Sequence, residues 1–89
     1  MEKALILGKM SHRVPVDVLE TIKKINGVAE TCFIFGPYDF YVIVETETKS
    51  RVGDIVWQIR SIEGVLDTIT CYVVSFSDIR PSASGPLVE

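Results

Sequence analysis

Two hydrophobic periods alternate along the chain, and their succession lays out its elements. Residues 3–9, KALILGK, form a short apolar run bounded by lysines, which predicts a buried first strand. Over residues 14–25, VPVDVLETIKKI, Val14, Val18, Ile22 and Ile25 recur at spacings of four, four and three, one apolar stripe on a helix. Pro15 stands near its start, where a missing N–H costs nothing, and Asn26-Gly27 supplies a stop. Residues 28–35, VAETCFIF, are rich in β-formers and run into the turn Gly36-Pro37-Tyr38-Asp39, so that residues 39–45, DFYVIVE, read as the second arm of a hairpin. A second helix is predicted over residues 49–62, with Val52, Ile55, Val56, Ile59 and Ile62 on its buried stripe and Glu63-Gly64 at its end. Gly53 weakens the first turn of that helix. Residues 65–74, VLDTITCYVV, form the last strong strand. The Ser-, Pro- and Gly-rich residues after it predict a tail over 76–89, a short edge strand that then frays, outside a single domain at 1–75.

The order is strand, helix, strand, strand, helix, strand, and the chain repeats part of it. TIKKINGVAET, from Thr21, and QIRSIEGVLDT, from Gln58, share one frame: Ile, basic, any, Ile, any, Gly, Val, any, acidic, Thr, offset by 37 residues. Each copy is a helix end, a glycine stop and a strand start. Two such βαβ units in tandem predict an α+β, ferredoxin-like βαββαβ fold, a four-stranded antiparallel sheet with both helices on one face.

A sheet with one solvated face shows polar residues at every other strand position. Here Phe40, Val42 and Val44 alternate with Tyr41 and Ile43, Ala4 and Ile6 with Leu5 and Leu7, and Cys32 and Ile34 with Phe33 and Phe35. Both faces are apolar. Each uncovered side chain of this class forgoes roughly 1.5–3 kcal/mol, and the chain's own helices cover one face only. A second copy is therefore expected on the other, pairing sheet to sheet as a dimeric α/β barrel with Tyr41 and Ile43 in the contact. Trp57 lies about 140° from Val52 on a helical wheel, off the buried stripe. Aromatic residues are enriched at interface cores, so Trp57 is a candidate contact in a larger, ring-like assembly.

Composition changes this picture little. Eighty-nine residues, 47% hydrophobic and 24% charged, make one ordinary globular domain. A net charge of −3 with scattered Lys and Arg speaks against a nucleic-acid surface. No signal peptide is visible and nothing approaches the run of about 20 apolar residues that spans a membrane, which predicts a cytoplasmic protein. Cys32 and Cys71 share no metal-ligand or CxxC spacing and read as small buried hydrophobes; no metal and no cofactor are expected. His12 reads as a solvated loop residue without a partner near in sequence, and Glu45, Glu47 and Asp54 as a solvated flank.

The stretch from Val28 to Val74 resembles the effector-binding, or RAM, module of the Lrp/AsnC (feast/famine) transcription regulators. The matching residues are Gly36-x-Tyr38-Asp39 at the hairpin, Ile62-x-Gly64-Val65 ahead of the last strand, and Thr68-x-Thr70 within it. Regulators of that family carry an N-terminal helix-turn-helix, whereas this chain begins at the first strand and looks like a stand-alone module, so DNA binding is not carried over. The resemblance implies an amino acid or related small effector bound in clefts between dimers, with Gly36, Tyr38 and Asp39 holding its main-chain ammonium and carboxylate. A glycine turn leaves backbone N–H groups open to a carboxylate, and a carboxylate side chain suits an ammonium. Thr68 and Thr70 share one strand parity, so both hydroxyls face one way. A full-length regulator of the family is the implied co-assembly partner.

Other readings stand beside this one. The turn and the two threonines are also ordinary hairpin and strand residues. Small dimeric α/β-barrel enzymes use the same paired sheets, but they need a titratable constellation, and the single His12 has no partner evident in the sequence; the chain reads as a non-enzyme. ACT-like regulatory domains share the fold, and the Gly-x-Tyr-Asp and Thr-x-Thr pair favours the Lrp/AsnC module over them.

Overall fold

The structure, a computed structural model, describes residues 1–13 and 17–74. Its elements are β1 (Glu2–Met10), α1 (Val18–Lys23), β2 (Val28–Phe33), β3 (Phe40–Thr46), α2 (Lys49–Arg60) and β4 (Val65–Val73). The strands form one antiparallel sheet in the order β2-β3-β1-β4. In each half a crossover helix joins two parallel strands that have another strand between them, the βαββαβ topology expected from the pattern.

Local chemistry sets the element ends. Asp17 caps α1, its carboxylate accepting from the Glu20 N–H at 3.3 Å, and Thr48 caps α2 by accepting from the Arg51 N–H at 3.2 Å. Val14, Pro15 and the tail at 76–89 lie outside the described residues. The last helical turn of α2 closes at Arg60, two residues before the predicted end, because Ser61 turns its hydroxyl back onto the Trp57 carbonyl at 2.8 Å. Strand β2 stops at Phe33, two residues before the predicted end. The two glycines of the sequence echo adopt nearly the same left-handed backbone, φ 108° at Gly27 and 103° at Gly64, so the repeated motif is a repeated turn.

The core lies between the sheet and the helices. Ala4 and Ile6 of β1 and Phe40, Val42 and Val44 of β3 meet Val18, Leu19 and Ile22 of α1 and Val52, Ile55 and Ile59 of α2, all buried. Gly8 stands opposite Phe40 across the β1–β3 ladder, and the Phe40 ring occupies the space its missing side chain leaves.

Among the described residues the other face has no helix. Pairing registers lay it out in rows across the four strands: Cys32, Tyr41, Leu7 and Ile69, then Glu30, Ile43, Leu5 and Cys71. Leu5, Leu7, Tyr41 and Ile43 are half-buried, while Ile69, Val73 and both cysteines are exposed. The expectation of buried cysteines is therefore corrected. Strand parity turns Cys32 and Cys71 onto the uncovered face, where both are exposed among the described residues. Lys3 pairs with Glu45 at 3.6 Å at one end of this face, and Lys9 and Asp67 stand opposite each other at the other.

Candidate functional site

Asp39 ends the hairpin loop and ties it to the first strand through both backbone and side chain. Its N–H donates to the Gly8 carbonyl at 2.8 Å, and its own carbonyl accepts from the Ile34 N–H at 2.9 Å. Its carboxylate oxygen Oδ2 accepts from the Met10 N–H at 2.9 Å, and Oδ1 stands 3.6 Å from His12 Nε2. The carboxylate thus spans the end of β1 and the start of the following loop.

Beside it lies a cavity of about 300 Å³ lined by Met10, His12, Phe33, Ile34, Phe35 and Asp39. Four of these six residues are apolar, and the two polar ones are the His12–Asp39 pair. The hairpin supplies Phe33, Ile34, Phe35 and Asp39, and the end of β1 with the loop after it supplies Met10 and His12. Sequence reasoning did not find this grouping, because a helix and a strand separate His12 from Asp39 along the chain. His12 is an exposed loop residue, as expected, and its partner is distant in sequence: the antiparallel β1–β3 register brings Asp39 to it.

The predicted site residues do not all converge within one chain. Asp39 lines the cavity; Gly36, Tyr38, Thr68 and Thr70 are not among its lining residues. Gly36 is exposed at the turn with φ 135°, a conformation glycine adopts without strain. Tyr38 is half-buried with the Lys9 ammonium 5.6 Å from its ring centre. Thr68 and Thr70 share a face, as their parity requires, and it is the helix face: they pair with Gly8 and Ile6 of β1. Thr68 is 8% exposed and its buried hydroxyl has no hydrogen-bond partner among the described residues. Gly8 links the two regions, since it holds Asp39 through its carbonyl and stands opposite Thr68.

Of the predicted contact residues, Tyr41 and Ile43 lie on the uncovered sheet face, and Trp57 projects from the outer side of α2, 72% exposed. Tyr41 donates its phenol hydrogen to the Glu30 carboxylate on the neighbouring strand. That hydrogen bond, with partial burial and the Glu30 charge adding to it, pushes the phenol up to about 12. Among the described residues no three His, Cys, Asp or Glu side chains group as metal ligands, and no helix is long and apolar enough to cross a membrane. A second, polar cavity lies at the opposite end of the sheet, where Asn26, Glu47 and Arg51 meet and the Arg51 guanidinium donates to the Asn26 carbonyl at 2.9 Å.

No family model matches the chain. Homocitrate synthase of Saccharolobus islandicus (strain L.S.2.15 / Lassen #1) is 34% identical over 73 residues, 81% of this chain. The chain spans 16% of that enzyme's length. A solved protein from Thermus thermophilus is 30% identical with TM-score 0.78, the match covering 84% of this chain and 95% of that one. AsnC of E. coli superposes at TM-score 0.75 and 17% identity over 90% of this chain and 55% of its own. A transcriptional regulator from Neisseria meningitidis, solved as a complex with L-Met, gives TM-score 0.66 and 20% identity over 98% of this chain and 57% of its own. At those identities the last two likenesses establish the shared fold.

Proposed function

The chain belongs to the Lrp/AsnC family through its effector-binding RAM module, and from that premise we propose that it is an oligomeric sensor of an amino acid or related small effector. In this reading it modulates a transcription regulator of the same family and does not itself bind DNA. The observation that carries the proposal is the cavity beside Asp39: an apolar wall with one partly buried carboxylate at its edge suits a small ligand bearing an ammonium. The L-Met complex of the Neisseria regulator, which shares this fold, supports an amino acid as the ligand class.

The rest of the proposed site comes from the neighbouring chain. Gly36, Tyr38 and Thr70 lie outside the cavity of one chain, and assembly brings them around the ligand from a second copy, whereas the Thr68 hydroxyl stays buried on the helix face. The uncovered face of Leu5, Leu7, Tyr41, Ile43, Ile69 and Val73 forms the homodimer contact. Trp57 forms a contact between dimers in a ring. The ligand acts by binding one assembly state more tightly than another, since equal affinity would shift nothing.

A thermal-shift screen of the twenty common amino acids tests this. A ligand at a hundred times its dissociation constant adds about 2.7 kcal/mol of stability, a readily visible rise in melting temperature. An unmoved melting temperature across the whole set defeats the sensor reading.

A second reading has its own support. The segment identity to homocitrate synthase, 34%, exceeds the 17% and 20% to the solved regulators. The module then acts on a biosynthetic enzyme, with the same amino-acid site reporting metabolite level. Adding the module and its ligand to such an enzyme and measuring kcat/KM separates the two: a changed rate favours the enzyme partner, an unchanged one the regulator.

A further inference from the structure

The cavity at the hairpin has one polar corner, and the spacing within that corner is informative. Asp39 Oδ2 is taken by the Met10 N–H at 2.9 Å, which leaves Oδ1 as the oxygen turned to His12 Nε2 at 3.6 Å. The imidazole side chain is 77% exposed and the carboxylate 29%, so their mutual attraction is weak and readily exchanged for a better partner. In an amino acid the α-ammonium nitrogen and the carboxylate carbon are about 2.5 Å apart by N–Cα–C geometry, which sets the carboxylate oxygens about 3 Å from the nitrogen. Laid head to tail on the pair, such a zwitterion meets Asp39 Oδ1 with its ammonium and His12 with its carboxylate. One loose contact is then replaced by two charge-assisted hydrogen bonds.

Its side chain is left against Met10, Phe33, Ile34 and Phe35. A charged side chain there loses water and gains no counter-charge from the described residues, among which the ionisable groups lining the cavity are the two already used. An apolar one covers aromatic surface that is otherwise bare, Phe33 being 57% exposed and Phe35 fully so. The resemblance gives the ligand's carboxylate to the Gly36 turn, but Gly36 does not line the cavity and His12 does.

We infer that the ligand is a zwitterionic amino acid with an apolar side chain, and that His12 is the residue that binds its carboxylate. The inference rests on the proposed reading of the module as an amino-acid sensor. It adds the ligand's chemical class and a recognition residue that the sequence motif omits.

Isothermal titration with L-leucine, L-phenylalanine, L-aspartate and L-lysine, against the wild-type chain and His12→Ala, tests both parts. The expected result is that L-leucine or L-phenylalanine binds at least about tenfold tighter than either charged amino acid. His12→Ala then weakens that amino acid about fivefold or more, yet binds the corresponding amine without a carboxylate as the wild type does. His12 is exposed, so the variant keeps its fold, which an unchanged melting temperature verifies. Tightest binding of L-aspartate or L-lysine overturns the ligand class while the sensor reading stands. Undiminished binding of the apolar amino acid by His12→Ala overturns the role of His12. No binding by any of the four at about 10 mM overturns this inference, and extending the titration to the remaining amino acids decides whether the sensor reading falls with it.

Discussion

Gly8 carries more of the architecture than its size suggests. A Cβ built on it would enter the Phe40 ring, which is fully buried in a close-packed core. Gly8→Ala is expected to cost about 1–3 kcal/mol by overpacking, measured by urea denaturation; a midpoint equal to wild type would show that the ring can move. Tyr41 offers a second residue-level check. Its phenol, ordinarily ionising near 10, is pushed up to about 12, chiefly by the hydrogen bond to Glu30. Because the folded value is the higher one, the stabilising contribution is complete below pH 10 and is lost as pH rises towards 12. In a Tyr38→Phe, Tyr72→Phe background, ultraviolet absorbance titration should place the remaining phenol near 12, and Glu30→Ala should bring it back towards 10. Neither the Gly8 contact nor the Glu30 bond is legible in the sequence, since both depend on which residues the register sets side by side.

Elements were more readable than contacts. The two helical stripes, the hairpin and both glycine stops follow from periodicity and turn chemistry, which act within a few residues. The internal echo was legible for the same reason, and the structure gives it a physical content: two glycines in one left-handed turn. At Gly27 a Cβ would also come within 2.6 Å of Ile55 Cδ1. Gly27→Ala and Gly64→Ala should each destabilise by about 1–2 kcal/mol through backbone strain. A denaturation midpoint equal to wild type for either variant would contradict that account. On α2, Trp57 is largely exposed, and Ser61 binds back to its carbonyl. Trp57→Ala should therefore leave the unfolding midpoint of the fold near wild type while lowering the sedimentation coefficient. An unchanged assembly size would remove Trp57 from the proposed ring contact.

At the scale of the molecule, the described residues form a half-covered sheet. One layer of helices buries one face completely, and the other presents leucine, isoleucine, tyrosine, valine and cysteine side chains in register across four strands. Charges stand at its two ends, Lys3 with Glu45 and Lys9 opposite Asp67, so a second copy meets an apolar centre with a polar rim. Leu5→Arg, placed at the middle of this face, should convert a dimer into a monomer of 9.9 kDa by light scattering. It should also abolish the concentration dependence of the melting temperature that a folded dimer shows. A wild-type protein already monomeric at micromolar concentration would end the dimer proposal.

The sequence alone determined the order of the elements, the two-sided apolar character of the sheet and the place of the hairpin, because each is encoded by neighbours a few residues apart. It also marked Asp39, through a motif. Only the tertiary structure decided what Asp39 does within one chain and which residues share its cavity. The β1–β3 register closes a loop of almost thirty residues to put His12 against it, and strand parity turns Thr68 inward and the cysteines outward. Periodicity says that a strand has two faces; which face meets the helices is fixed only when distant segments pack.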